Sequence, residues 1–449
     1  MKTWECSAGT FCGFEEDGCI QLMGIRYAKS RRYDRPVPYV YPDGVHACVH
    51  PAPLGIQLSA AVEHMLYGVD YEAFAQEEEC QYLSITLPKD VRAQERLPVM
   101  VWVHGGSYRN GGCDSPIYNR IPLVKENRVI VVALSYRLGA LGFVRDREGG
   151  FGNCGLLDII EGLRWVARNI GAFGGDPDKV TLFGQSAGAD AVRCVMLAHG
   201  TEHLYRRAIL QSDPMGAMVG RRKMEQWVLD KLCALPVDAP IEDVRAVQAS
   251  IGSHVPQKGY ARFLVFAPHM GVDPLPPESD VLARLAQVAP DHEVLVGYTT
   301  REAAAFLGKH RSVLALSRRA LTRRVVEKVV DRASRKIFVE PAQEFAKAYA
   351  RAGGRVGSYV LSWREKDCFF GACHMSDVPL LFGISGEEGQ LCAMGLTKAQ
   401  VLEAGVPLRR AWCEFARRGT VSNVHIDAPA QGYMFLLQFL NRREESVFS

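Results

Sequence analysis

The 449-residue chain has no apolar run long enough to cross a bilayer, no surplus of one charge and no closely spaced cysteine pairs. Each absence removes a class of protein from consideration. A helical span needs about 20 consecutive apolar residues, so no membrane-spanning protein is expected. Lys and Arg number 53 against 50 Asp and Glu, a net charge of +3. That balance gives no reason to expect nucleic acid or an anionic membrane as partner. The opening Met1-Lys2-Thr3-Trp4-Glu5-Cys6 has neither the apolar core nor the cleavage site of a secretory leader. The 13 cysteines are odd in number and scattered, so they read as reduced thiols rather than a disulfide framework. Together these features point to the cytoplasm. No repeat period, low-complexity tract or Pro/Ser-rich linker divides the chain, so one domain is expected over residues 1–449.

What is present is a large apolar fraction, 48% of residues, ample for a sizeable core. Short continuous apolar runs recur: Val99–Val103, Val129–Leu134, Val180–Phe183, Ala208–Leu210, Val294–Val296 and Ser358–Leu361. Such runs suit strands buried on both faces. Between them, Leu156 to Ile170 has apolar residues at 156, 159, 160, 163, 166, 167 and 170, the spacing of a helix with one buried face. Strands alternating with helices predict an α/β fold with a mostly parallel sheet covered on both sides. Thr10 to Tyr27, with turn residues at Glu15-Glu16-Asp17-Gly18, reads as an antiparallel hairpin on the sheet edge.

The most informative stretch is Gly184-Gln185-Ser186-Ala187-Gly188, directly after the run Val180–Phe183. It matches G-x-S-x-G, a strand, a strained turn carrying a serine, then a helix whose free N–H groups favour negative charge. A serine nucleophile needs a general base, an acid to orient that base, and donors for the developing oxyanion. His104-Gly105-Gly106-Ser107-Tyr108 follows the first buried run and suits an oxyanion loop, its N–H groups joined by that of Ala187. Glu302 follows the run ending Gly297-Tyr298-Thr299-Thr300-Arg301, and His374 follows another strand-like run. The order Ser, acid, His is that of G-x-S-x-G hydrolases. Cys368, Cys373 and His374 also cluster, but no second ligand pair has matching spacing, so no metal site is assigned. Ser317 to Lys336 is rich in Arg and Lys with apolar residues at 321, 325, 326, 329, 330 and 333; the default for such a segment is a solvated helix face.

These motifs, nearly end to end, resemble the type B carboxylesterases, the family of cholinesterases, liver-type carboxylesterases and bacterial para-nitrobenzyl esterases. Gly24-Ile25-Arg26-Tyr27-Ala28 resembles G-I-P-Y-A, and Glu78-Glu79-Cys80-Gln81-Tyr82-Leu83 resembles E-D-C-L-Y-L. Tyr136-Arg137-Leu138-Gly139 with Leu141-Gly142-Phe143 is similar to Y-R-L-G-x-x-G-F, and Phe173-Gly174-Gly175-Asp176-Pro177 resembles the run into the elbow. Ala208-Ile209-Leu210-Gln211-Ser212, Gly371-Ala372-Cys373-His374 and Leu381-Phe382-Gly383 extend the likeness. The resemblance implies an α/β-hydrolase fold, a mostly parallel sheet with antiparallel N-terminal edge strands and helices on both faces. It implies Ser186 as nucleophile, His374 as base and then acid, and Glu302 as orienting acid. Gly106, Ser107 and Ala187 would supply the oxyanion N–H groups, with Gly105, Gln185 and Ser212 in support. Glu78 and Arg137 match a buried ion pair of relatives, here structural. No metal or organic cofactor is implied.

Several departures carry consequences. Gln185 stands where the family often has glutamate, removing a charge beside the site. Ser107 replaces a common glycine and narrows the room above the carbonyl. Met375 replaces the common glycine after the histidine. The usual partner of Cys80 is absent, Cys48 being a poor candidate, so Cys80 is expected as a thiol. The stretch between Glu302 and His374 is short, so a reduced helical cap over about 303–355 and a more open pocket are expected. No Trp falls between residues 49 and 101, against a choline-ester specialist, and no long apolar lid suggests an interfacial lipase. The expected activity is hydrolysis of short-to-medium acyl or aromatic esters. Amidase, carbamate hydrolase and polyesterase activities at the same site remain open, because pocket shape selects the scissile bond. A non-catalytic binding relative remains the alternative outside enzymes. The expected partners are a small ester and water, in a monomer or small homo-oligomer.

Overall fold

The computed structural model describes residues 2–92, 94–144, 152–256, 259–364, 368–384, 396–421, 426–430 and 433–440. Its centre is six parallel strands that the apolar runs foreshadow: β5 (Leu97–Val103), β6 (Ile130–Leu134), β7 (Gly175–Gln185), β8 (Arg207–Gln211), β9 (Glu293–Thr299) and β10 (Arg355–Arg364). Antiparallel strands flank them. On one side lie β1 (Lys2–Cys6), β2 (Gly9–Glu16), β3 (Cys19–Arg26) and β4 (Tyr82–Pro88); on the other lie β11 (Ile426–Ala430) and β12 (Tyr433–Leu440). The spatial order is β1-β2-β3-β4-β6-β5-β7-β8-β9-β10-β12-β11, with Val45–Ala47 added beside β2. The N-terminal hairpin turns at Asp17-Gly18, both at positive φ. Strands β1, β4, β11 and β12 were not among the individual strands read from the sequence.

Every residue of β5 is buried, and alternate side chains enter opposite layers. Val99, Val101 and Val103 join Ile159, Ile160, Leu163 and Val166 of α2 (Cys154–Asn169) in one layer. Met100 and Trp102 join Leu408, Trp412 and Phe415 of α8 (Lys398–Arg418) in the other. That is why a continuous apolar run, rather than an alternating one, marks a central strand. Beyond the C-terminal end of β9 the chain runs through α4 (Ala303–Gly308), α5 (Arg311–Ser317), α6 (Ala320–Ser334), a π-turn at Arg335–Val339 and α7 (Glu340–Arg351). Two further helices frame the site, α1 (Ala61–Tyr67) and α3 (Ala187–Leu197). Cys80 and Cys48 are both free thiols, as expected.

The expected Glu78–Arg137 pair does not form. Arg137 instead forks onto Asp158, Nε to Oδ2 and Nη2 to Oδ1 both at 2.8 Å, with both side chains almost fully buried. Glu78 lies half-exposed and pairs with Arg32, at 2.5 and 2.8 Å. The cause is topological. Arg137 follows β6 and faces the buried side of α2, one turn into which Asp158 projects; the segment carrying Glu78 runs along the surface. Arg137→Met strands a buried carboxylate and is expected to cost about 3–5 kcal/mol in urea unfolding, whereas Glu78→Gln is expected to cost no more than about 1 kcal/mol.

Candidate active site

Ser186 occupies the turn between β7 and α3 with φ 58° and ψ −127°, a conformation that side-chain-bearing residues rarely adopt. Two close approaches hold it there. A Cβ on Gly188 would meet the Val103 carbonyl oxygen at 2.1 Å, and one on Gly184 would meet the backbone of Gly188 at 2.5 Å. The Ser186 N–H donates to the Gln211 carbonyl at 2.8 Å, tying the turn to the end of β8. Ser186 is nearly buried and faces a cavity of about 250 Å³. Among the described residues its hydroxyl makes no hydrogen bond.

The loop after β5 packs onto this turn. Gly105 lies so close to Ser186 that a Cβ would come within 3.3 Å of the serine Cβ and 2.6 Å of the Gln185 carbonyl. Ser107 and Tyr108 both have positive φ, 55° and 58°. Tyr108 donates its hydroxyl proton to Asp190 Oδ2 of α3 at 2.6 Å, locking the loop to the serine's helix. Arg193 then bridges Asp190 and Asp213. Beneath the loop His104 is buried, stacks on Tyr136 at 4.4 Å and is pushed by desolvation down to about 4, so it is neutral. The N–H groups of Gly106, Ser107 and Ala187 have no acceptor among the described residues. Free, fixed donors beside a serine are what a developing oxyanion requires.

The end of β9 positions the acid and the imidazole together. Arg301 N–H donates to the Ala372 carbonyl at 2.9 Å and His374 N–H to the Glu302 carbonyl at 3.3 Å, so the two segments run side by side. Glu302 is fully buried; its Oε1 accepts from the Thr299 N–H at 2.7 Å and its Oε2 lies 2.5 Å from His374 Nδ1. The other ring nitrogen, Nε2, faces the side-chain amide nitrogen of Gln185, the residue before Ser186, at 3.2 Å. With Nδ1–H donated to Glu302, Nε2 is left as the acceptor. Phe306 and Phe338 flank the ring, each at 5.0 Å. Both nitrogens of His374 are thus engaged away from Cys368 and Cys373, and among the described residues no cluster of three or more His, Cys, Asp or Glu is disposed to hold a metal ion.

Ser212, at φ 52°, directly follows β8 and keeps its hydroxyl buried without a hydrogen-bond partner among the described residues. Two acids near the site escaped the sequence reading. Asp377 Oδ2 accepts from Gln211 Nε2 at 2.6 Å, and burial lifts its carboxyl to about 6. Glu63 comes from α1, far away in sequence; burial raises its carboxyl, while its own backbone N–H, His374 and Arg109 draw it back. The Asn110 amide, with its nitrogen turned toward these acceptors, reaches Glu63 Oε1 at 3.0 Å and the Gly106 carbonyl at 2.9 Å. Neither acid belongs to a spaced motif, so only the packing of α1 and of the turn after His374 discloses them.

The family model described as the Carboxylesterase family matches residues 3–319. The chain belongs to the carboxylesterase family. This carboxylesterase is 34% identical over 433 residues, 94% of either chain, to a probable N-octanoylanthranilate hydrolase, AqdA2, of Rhodococcus erythropolis. It is 28% identical to the para-nitrobenzyl esterase of Bacillus subtilis strain 168, covering 94% of this chain and 91% of that one. Among solved structures, a thermophilic para-nitrobenzyl esterase superposes with a TM-score of 0.76 at 25% identity, covering 95% of this chain and 93% of that one. The fold is accordingly the α/β-hydrolase fold, and the chain is an enzyme acting on carboxylic esters. Among the described residues no helix is long and apolar enough to cross a membrane.

A carboxyl whose pKa rises on folding holds its proton more tightly in the native state. Asp377 therefore contributes no penalty below pH 4, an increasing one from its ordinary value of 3.8 to about 6, and a constant one above. The two-unit rise corresponds to about 3 kcal/mol. Asp377→Asn is expected to remove that loss, so the stability difference between variant and wild type grows in the variant's favour between pH 4 and 6. Urea unfolding at several pH values reads it; parallel profiles would refute the assignment.

Proposed function

We propose that the enzyme hydrolyses esters by two-step acyl transfer through an acyl-enzyme on Ser186. The observation that supports this is a strained serine lining an apolar cavity, N–H groups on Gly106, Ser107 and Ala187 with no acceptor among the described residues, and a Glu302–His374 pair whose ring packs against Phe306 and Phe338 of the cavity wall. His374 Nε2 accepts the Ser186 proton once the hydroxyl turns onto it in place of the Gln185 amide; such hydrogen bonds are commonly loose before substrate binds. The Ser186 oxygen bonds to the ester carbon, and the oxyanion takes the N–H groups of Gly106, Ser107 and Ala187. His374 returns the proton to the departing alcohol. Water then attacks the acyl-enzyme with the same base, releasing the acid and restoring Ser186. Glu302 holds the imidazole in the required tautomer and stabilises its cation. No step calls for a metal or organic cofactor. The cavity walls, among them Leu264, Phe306, Ile337 and Phe338, favour an acyl chain or aromatic group over a polar one. Free thiols at Cys48, Cys80, Cys113 and Cys413 support a reducing compartment, the cytoplasm, as its location.

A second substrate reading has one specific support. The Rhodococcus relative is named for an N-octanoyl compound, whose scissile bond is an amide. The same serine chemistry serves, with His374 protonating an amine instead of an alcohol.

Ser186→Ala is expected to lower turnover of para-nitrophenyl butyrate by about a millionfold, and a fluorophosphonate probe to add mass at Ser186 alone. Near-native activity of the variant, or labelling elsewhere, overturns the mechanism. Comparing para-nitrophenyl octanoate with N-octanoylanthranilate separates the two substrate readings: a larger kcat/KM for the amide moves the assignment to amide hydrolysis.

A further inference from the structure

Helix α6 has two apolar stripes, and only one of them is used by the core. Val326 and Val330 are buried. Leu321, Val325 and Val329, at four-residue spacing, point the other way and are 94%, 62% and 50% exposed. At 3.6 residues per turn the same outward face carries Arg324, Lys328 and Arg332, all exposed. None of these three cations forms an ion pair among the described residues, and Glu327 of the same helix is already held by Arg301. Residues 311–336 contain nine Lys and Arg against two carboxylates, more positive charge than the +3 of the whole chain. An aliphatic row left in water beside unpartnered cations marks an interaction surface. Val329 and Arg332 also line the cavity that holds Ser186, so this surface leads into the site.

We propose that the outward face of α6 docks on an anionic lipid surface. The charges choose the occupant. A second copy related by a two-fold axis would set Arg324, Lys328 and Arg332 near their own equivalents, and like charges disfavour that contact. A nucleic acid backbone would take the cations but offers nothing to the aliphatic row. An anionic bilayer serves both: Leu321, Val325 and Val329 enter the boundary between headgroups and acyl chains while the cations stay among the phosphates. This revises the expectation of a solvated face and of no membrane partner; it needs no spanning helix. Docking is independent of the chemistry assigned to Ser186.

The test is flotation of the full chain with vesicles of phosphatidylcholine alone and of phosphatidylcholine mixed with phosphatidylglycerol. Binding to the anionic vesicles is expected to exceed binding to the neutral ones by about tenfold or more and to fall with added salt. The pairs Leu321→Glu with Val325→Glu, and Arg324→Glu with Lys328→Glu, are each expected to reduce it about tenfold. None of these four residues lines the cavity, so hydrolysis of soluble para-nitrophenyl acetate is expected to be unchanged, which also reports that the variants fold. Equal binding to both vesicles, binding indifferent to the substitutions, or a dimer in sedimentation that Leu321→Glu dissociates overturns the proposal.

Discussion

Gly188 lies so near the Val103 carbonyl that a side chain there would come within 2.1 Å of the oxygen, and the geometry of the whole Ser186 end of the sheet depends on that approach. It draws the start of α3 against the end of β5, which brings the loop from His104 to Ser107 over Ser186. The Tyr108–Asp190 hydrogen bond then fixes the loop to the same helix. Two neighbouring parallel strands and one helix thereby act as a single rigid frame, and rigidity is what lets fixed donors stabilise charge without reorganising.

Backbone strain is concentrated at this frame. Ser107, Tyr108, Ser186, Ser212 and Met375 all have positive φ without being glycine. Each such residue costs about 1–3 kcal/mol and persists only where its surroundings over-determine it. The surroundings here are hydrogen bonds reaching in from neighbouring strands and from α1: Ser186 to Gln211, Ser212 to Gly297, and Tyr67 to the Met375 carbonyl. Met375 keeps the left-handed turn that glycine would make without strain, because the Tyr67 hydroxyl and the adjoining core hold it.

The central strands were legible because a strand buried on both faces is a continuous apolar run, and Ser186 because its turn admits glycine alone at Gly184 and Gly188. Glu302 and His374 were legible only through chain order and resemblance, since nothing local separates them from other acids and histidines. The partner of Arg137 was not legible: Glu78 and Asp158 are equally plausible acids along the chain, and only the packing of α2 chooses between them. Nor was the fate of α6, whose apolar residues at 325, 326, 329 and 330 fit two stripes equally well. Periodicity says that a helix has apolar faces; it does not say which one finds a neighbour.

The buried thiols have a use that chemistry at the serine does not touch. Cys80 and Cys113, close neighbours, and Cys413 in α8 are wholly buried, and burial raises all three thiols above their ordinary pKa. A thiol held protonated and out of water resists alkylation until its own layer opens. The chain therefore carries two built-in clocks for local unfolding, one where Cys80 and Cys113 lie together and one at Cys413 in α8, readable by mass without any introduced probe.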